Sequence, residues 1–126
     1  MSKEPEKISQ KARNDKDVLA VLLFGSYARN EKFTDIDVCV VLKPEKFNPL
    51  FLSKKRLEYL TAFPNSDIQI YQQLPLYIKM RVLKDGKTIF CRNEDLLYDL
   101  IISTVRQFEY FKPRYLSYLE GVIHAR

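Results

Sequence analysis

Tryptophan is absent from these 126 residues, histidine occurs once, and cysteine and methionine occur twice each. Cys39 and Cys91 have neither the paired spacing of a zinc site nor the density of a secreted scaffold, and they read as reduced structural thiols. The lone His124 has no partner in the sequence around it and reads as a surface side chain. No apolar run approaches the ~20 residues of a membrane span, and the polar first residues lack the apolar core of a signal peptide. A cytoplasmic location is the expectation. Internal repeats and low-complexity segments are missing too. The chain carries a net charge of +5, but the excess is spread along it. No interleaving of aromatic and basic residues marks a stacking platform, so direct nucleic-acid binding is not expected.

What is present fits a single soluble globular domain: 46% apolar and 29% charged residues in a chain long enough to bury a core. The chain is organised around Phe24-Gly25-Ser26-Tyr27-Ala28-Arg29-Asn30-Glu31, followed by Asp35-Ile36-Asp37. Val18–Leu23 before it and Val38–Leu42 after it are short apolar runs of the kind that form buried strands. Gly25 has no Cβ and lets backbone approach a ligand closely. Ser26 can cap a following helical turn and offers a hydroxyl. The free amides of such a turn suit an anion, above all phosphate. Asp35 and Asp37, two apart on an extended segment, point to the same face. Two carboxylates there repel each other, and a divalent cation relieves the repulsion. A phosphate cradle facing a metal-binding pair points to phosphoryl or nucleotidyl transfer. Either piece alone is common, the one as a turn and the other as a solvated strand start. Together, between two buried strands, they are specific.

These residues resemble the signature of the polymerase-beta-like nucleotidyltransferases. More closely they are similar to the minimal nucleotidyltransferases, small proteins paired with HEPN-domain partners in toxin–antitoxin systems. The resemblance covers about residues 18 to 92. It departs from the usual pattern at Asn30, where Gly is customary, and in a short spacer between Ser26 and Asp35. It implies an α/β fold with a small mixed sheet flanked by helices and a helical C-terminal segment. The implied divisions are a polar N-terminal arm or helix over 1–17, a nucleotidyltransferase core over 18–92, and a C-terminal helical segment of the same domain over 93–126. It also implies nucleotide binding by Gly25, Ser26 and Arg29, catalysis and metal binding by Asp35, Asp37 and Asp67, two Mg²⁺ ions, and ATP as substrate.

The rest of the chain is consistent with that reading. Residues 1–17 are polar, with Ile8 almost alone, and suit an arm or a short exposed helix. Lys43-Pro44 and Asn48-Pro49 punctuate a loop. Leu50–Phe63 keeps a helical stripe, Asp67–Tyr71 alternates as a half-buried strand, Leu76–Leu83 reads as a helix ended by Asp85-Gly86, and Thr88–Cys91 as a last strand. Strand, helix and strand in succession imply helices packed on a mixed sheet. Asp67 opens the third strand, where the resembled family places a third carboxylate; its plainer role is to cap the turn after Asn65-Ser66. Lys79, Arg81, Lys84 and Lys87 can steer a triphosphate, or simply form a solvated face. Asn93-Glu94-Asp95 opens a helix, and Lys112-Pro113 should bend or break it. Its aromatic surplus, Tyr98 to Tyr118, partly covers the sheet and partly suits a docking surface.

The expected function is metal-dependent transfer of a nucleotidyl group, AMP from ATP, to a hydroxyl. The resemblance implies that the acceptor is a tyrosine of a HEPN-type toxin, with this chain as antitoxin, since the sequence contains nothing like a second domain to hold a bulky acceptor. The alternative is a non-catalytic antitoxin that neutralises its partner by occlusion.

Overall fold

The computed structural model describes residues 4–25 and 36–124, the side chains of Tyr115 and residues 122–124 excepted. The described elements are α1 (Glu4–Arg13), β1 (Val18–Phe24), β2 (Ile36–Leu42), α2 (Pro49–Ala62), β3 (Ser66–Ile70), α3 (Leu76–Asp85), β4 (Lys87–Cys91) and α4 (Glu94–His124). The four strands form one sheet in the order β3-β2-β1-β4. β1 runs antiparallel to both β2 and β4, and β2 runs parallel to β3. A parallel pair needs a crossover, and α2 supplies it. The fold is therefore the expected mixed sheet with helices.

The apolar run of β1 does not alternate because both faces of the central strands are covered. On one face Val21, Leu23, Val38, Val40, Ile68 and Ile70 pack with Ile8 of α1 and Tyr59 of α2. On the other, Leu22, Cys39, Val41 and Tyr71 pack with Val82 of α3 and Leu97 of α4. Each such buried side chain contributes roughly 1.5–3 kcal/mol.

Local signals set the helix ends. Asn48 is the N-cap of α2, its Oδ1 accepting from the Phe51 amide at 2.7 Å, and Pro49 takes the first turn, where a missing N–H costs nothing. Asn93 does the same for α4, accepting from the Leu96 amide at 3.1 Å. Gly86 ends α3, and its need for glycine is spatial: a Cβ there would run into the Val82 carbonyl and stand 3.1 Å from Leu22 Cδ2.

Two expectations change. α1 is not an exposed helix, because Ile8 and Ala12 are fully buried. Arg92 fixes its C-terminal end, donating to the carbonyls of Ala12 at 2.8 Å and of Arg13 and Asp15 at 3.0 Å, and also to Val18 at 2.8 Å. Nor does α4 break at Lys112-Pro113: it continues to His124 with Pro113 inside. The neighbouring residues are exposed, so water can take up the carbonyl that proline leaves without a donor.

A charged cluster joins α2 to the segment before β1. The Lys55 ammonium, 9% exposed, meets Asp15 Oδ2 at 3.0 Å and Asp17 Oδ2 at 3.3 Å, and the Tyr59 hydroxyl donates to Asp15 at 3.0 Å. Burial acts to raise the Asp15 pKa, but the Lys55 contact and its neighbours prevail and hold it below the ordinary value. Burial acts to lower the Lys55 pKa, and Asp15 and its acidic neighbours reverse that too.

Candidate functional site

The site is set at one end of the three strands β1, β2 and β3. β1 finishes at Phe24, and Gly25 follows in the left-handed region, with φ of 72°. β2 runs back alongside, pairing Phe24 with Asp37. β3 then lies parallel to β2, with Asp67 opposite Asp37 and Gln69 opposite Cys39. Register partners share a face, and adjacent strands lie about 4.8 Å apart, so the carboxylates of Asp37 and Asp67 stand side by side. Their face is the one covered by α3 and α4, because Asp37 alternates with buried Cys39 and Val41.

Asp37 is half-buried and Asp67 exposed. The Asp37 carboxylate lies against Gly25: a Cβ on that residue would overlap Oδ2 and stand 3.0 Å from Cγ. Glycine is thus required at position 25 twice, for its backbone angle and for the approach of the carboxylate. Asp67 Oδ1 accepts a hydrogen bond from Gln69 Nε2 at 3.1 Å. Gln69 was not singled out in the sequence, although its place two residues after Asp67 on a strand was the available signal.

Further along the same face the chemistry becomes inert. Burial pushes the Cys39 thiol up to about 12, which keeps it protonated at neutral pH. Lys79 of α3 lies over the Tyr71 ring, 5.3 Å from its centre, and burial lowers its pKa.

Beside Gly25 opens a cleft of about 270 Å³, lined by Phe24, Gly25, Ile78, Arg81, Val82 and Asp85. Its walls are apolar in Phe24, Ile78 and Val82 and charged in Arg81 and Asp85. Sequence reasoning had Arg81 only as one basic residue among several. Its selection from among them needed the placement of α3 beside the end of β1.

Of the six site residues expected from sequence, Gly25, Asp37 and Asp67 are brought together. Ser26, Arg29 and Asp35 lie outside the described residues. Among the described residues no group of three metal-ligating side chains gathers. The donor chemistry of Asp37 and Asp67 nonetheless fits a hard cation such as Mg²⁺, which is usually held by one or two carboxylates together with water and substrate phosphates. Among the described residues no helix is long and apolar enough to cross a membrane.

Comparison with known proteins gives the family and the fold. Residues 6–95 match the family described as Polymerase beta, Nucleotidyltransferase. A protein of Methanocaldococcus jannaschii, provisionally named a protein adenylyltransferase, is 43% identical over 75 residues, which are 58% of this chain and 56% of that protein. The chain thus spans little more than half of that relative's length. Among solved structures, a chain of a toxin–antitoxin crystal structure with AMP-PNP aligns with a TM-score of 0.71 at 17% identity, covering 94% of this chain and 98% of that one. A chain of the complex between a tri-AMPylated Shewanella oneidensis HEPN toxin and its MNT antitoxin aligns with a TM-score of 0.69 at 17% identity, covering 98% and 99%. At such identities the likeness is one of fold.

Proposed function

The chain belongs to the polymerase beta nucleotidyltransferase family, and on that premise we propose that it is a metal-dependent adenylyltransferase that moves AMP from ATP to a hydroxyl of a protein partner. The observation that carries the proposal is the seating of the Asp37 carboxylate against a left-handed Gly25, with Asp67 as its register partner. A close-approach turn for phosphate thereby lies one strand spacing from Asp37, and Asp37 one strand spacing from Asp67, a pair of carboxylates suited to a divalent cation.

In this reading Gly25 and Ser26 hold the β- and γ-phosphates, and Arg29 assists them. Asp35, Asp37 and Asp67 would hold two Mg²⁺ ions, which when bound neutralise phosphate charge and lower the pKa of the acceptor hydroxyl. Asp67, exposed on β3, would face the incoming acceptor. The acceptor oxygen bonds to the α-phosphorus as that atom's bond to the α,β-bridging oxygen breaks. The electron pair leaves on pyrophosphate, and the acceptor proton passes by way of Asp67 to solvent.

The partner we propose is a HEPN-type toxin, its acceptor a tyrosine, and this chain its antitoxin. Support comes from the names of the relatives above and from the outer half of α4, where Tyr110 is 68% and Tyr118 67% exposed. A second reading, neutralisation by occlusion without catalysis, draws on that same exposed helix. Calorimetry tests the site: ATP should bind with Mg²⁺ and not with EDTA. Absence of binding at millimolar ATP and Mg²⁺ contradicts the proposal.

A further inference from the structure

The cleft beside Gly25 contains a charge that the roles above leave unused. Among the described residues lining it, Arg81 is the one cation. It is exposed on α3, and among the described residues no hydrogen bond or ion pair engages it, although Asp85 lies one turn further along the helix and lines the same cleft.

The electrostatics of the site leave room for a cation beside the one that Arg29 would supply. Asp37 and Asp67 place two negative charges beside the position where a triphosphate would sit, and the triphosphate brings several more. Divalent ions offset part of this charge. The part that remains is largest on the β- and γ-phosphates once the bond to the α-phosphorus breaks, because the departing pyrophosphate takes the electron pair. A guanidinium suits that oxyanion: it is planar, always charged, and presents paired N–H donors that match two phosphate oxygens. Placed where charge develops, it stabilises the transition state more than the ground state. Gly25 belongs both to the phosphate turn and to the wall that Arg81 shares.

We propose that Arg81 grips the β- and γ-phosphates of the nucleotide through the cleft beside Gly25 and stabilises the pyrophosphate as it leaves. This rests on the nucleotidyl-transfer reading above. The apolar walls of Phe24, Ile78 and Val82 raise the strength of the contact by keeping water from one side of it.

The test compares wild type, Arg81→Gln and Asp85→Asn for binding of Mg²⁺-ATP, inorganic tripolyphosphate and AMP by calorimetry. Arg81→Gln should weaken ATP and tripolyphosphate by roughly ten- to a hundredfold, the range for a hydrogen bond to a charged group, and leave AMP binding unchanged. Asp85→Asn removes a repelling charge from the same cleft and should tighten ATP. Equal ATP binding by wild type and Arg81→Gln overturns the proposal. So does an equal loss of AMP, which would assign Arg81 to the nucleoside, or a weakening by Asp85→Asn. If Arg81→Gln does not melt like wild type, Arg81→Lys carries the comparison, since it keeps the charge and loses the fork. Failure of wild type itself to bind Mg²⁺-ATP is a different result: it removes the adenylyltransferase reading and this inference with it.

Discussion

Gly25 and Asp37 are in contact across the end of β1 and β2, and the carboxylate occupies the space that a side chain at position 25 would fill. Gly25→Ala should therefore fail in two ways. A left-handed backbone costs an alanine roughly 1–2 kcal/mol, and the new methyl displaces the Asp37 carboxylate. Transfer activity should fall by at least about a hundredfold, as when a reacting group is misplaced by an ångström. Thermal melting and labelled-ATP transfer, measured on the same preparation, check both effects.

Asp37 and Asp67 are like charges on neighbouring strands and repel each other in the absence of a cation. Asp37→Asn and Asp67→Asn relieve this repulsion with side chains of the same shape, and both variants should still fold without metal. The stabilisation of wild type by Mg²⁺-ATP, expected from mass action, should vanish in both. Differential scanning fluorimetry with and without Mg²⁺-ATP measures this directly.

The Lys55 cluster makes the opposite prediction. Lys55→Met leaves Asp15 and Asp17 without their buried partner and should cost about 3–5 kcal/mol. The pH dependence follows from the directions of the shifts. Asp15 has a folded-state pKa below its unfolded value of 3.8, so its contribution is complete above that pH and is lost as pH falls through the lower folded value. Lys55 has a folded-state pKa above 10.5, so its contribution is complete below 10.5 and is lost at still higher pH. Wild type should hold a plateau between these limits, and the variant should lose both edges, as read by urea titrations across pH.

α4 leaves the sheet after its first turns. Leu97 and Thr104 are buried, whereas Tyr110, Phe111, Leu116 and Tyr118 are 47–68% exposed. Tyr110→Ala and Tyr118→Ala should weaken capture of the proposed HEPN-type partner by tenfold or more, on the scale of interface aromatics, with no change in melting temperature. Pull-down of the co-expressed partner tests it, and undiminished capture by the double variant would remove α4 from the interface.

Much of this was legible in the chain. The unalternating run of β1 announced a strand covered on both faces, and the alternation after Pro64 announced β3, with Asp67 near its start. The Gly25 turn was legible because few residue types tolerate its backbone. Three things were not. The burial of Ile8 depends on Arg92, 84 positions away, holding the end of α1, and no local pattern encodes that. The continuity of α4 through Pro113 depends on exposure, which lets water replace a hydrogen bond. The relevance of Arg81 depends on where α3 lies against the end of β1, since four basic residues between 79 and 87 look alike in sequence. Ser26, Arg29 and Asp35 lie outside the described residues, so their roles rest on the motif and on chemistry.

Intact-mass spectrometry of the proposed HEPN-type partner most directly tests whether this chain is a catalyst. A partner co-expressed with wild type should gain mass in steps of one AMP, keep it after this chain is removed, and remain silent. Co-expressed with Asp37→Ala, it should be bound, unmodified and active once freed. A partner that is unmodified yet silenced equally by both proteins would contradict the adenylyltransferase account and leave occlusion in its place.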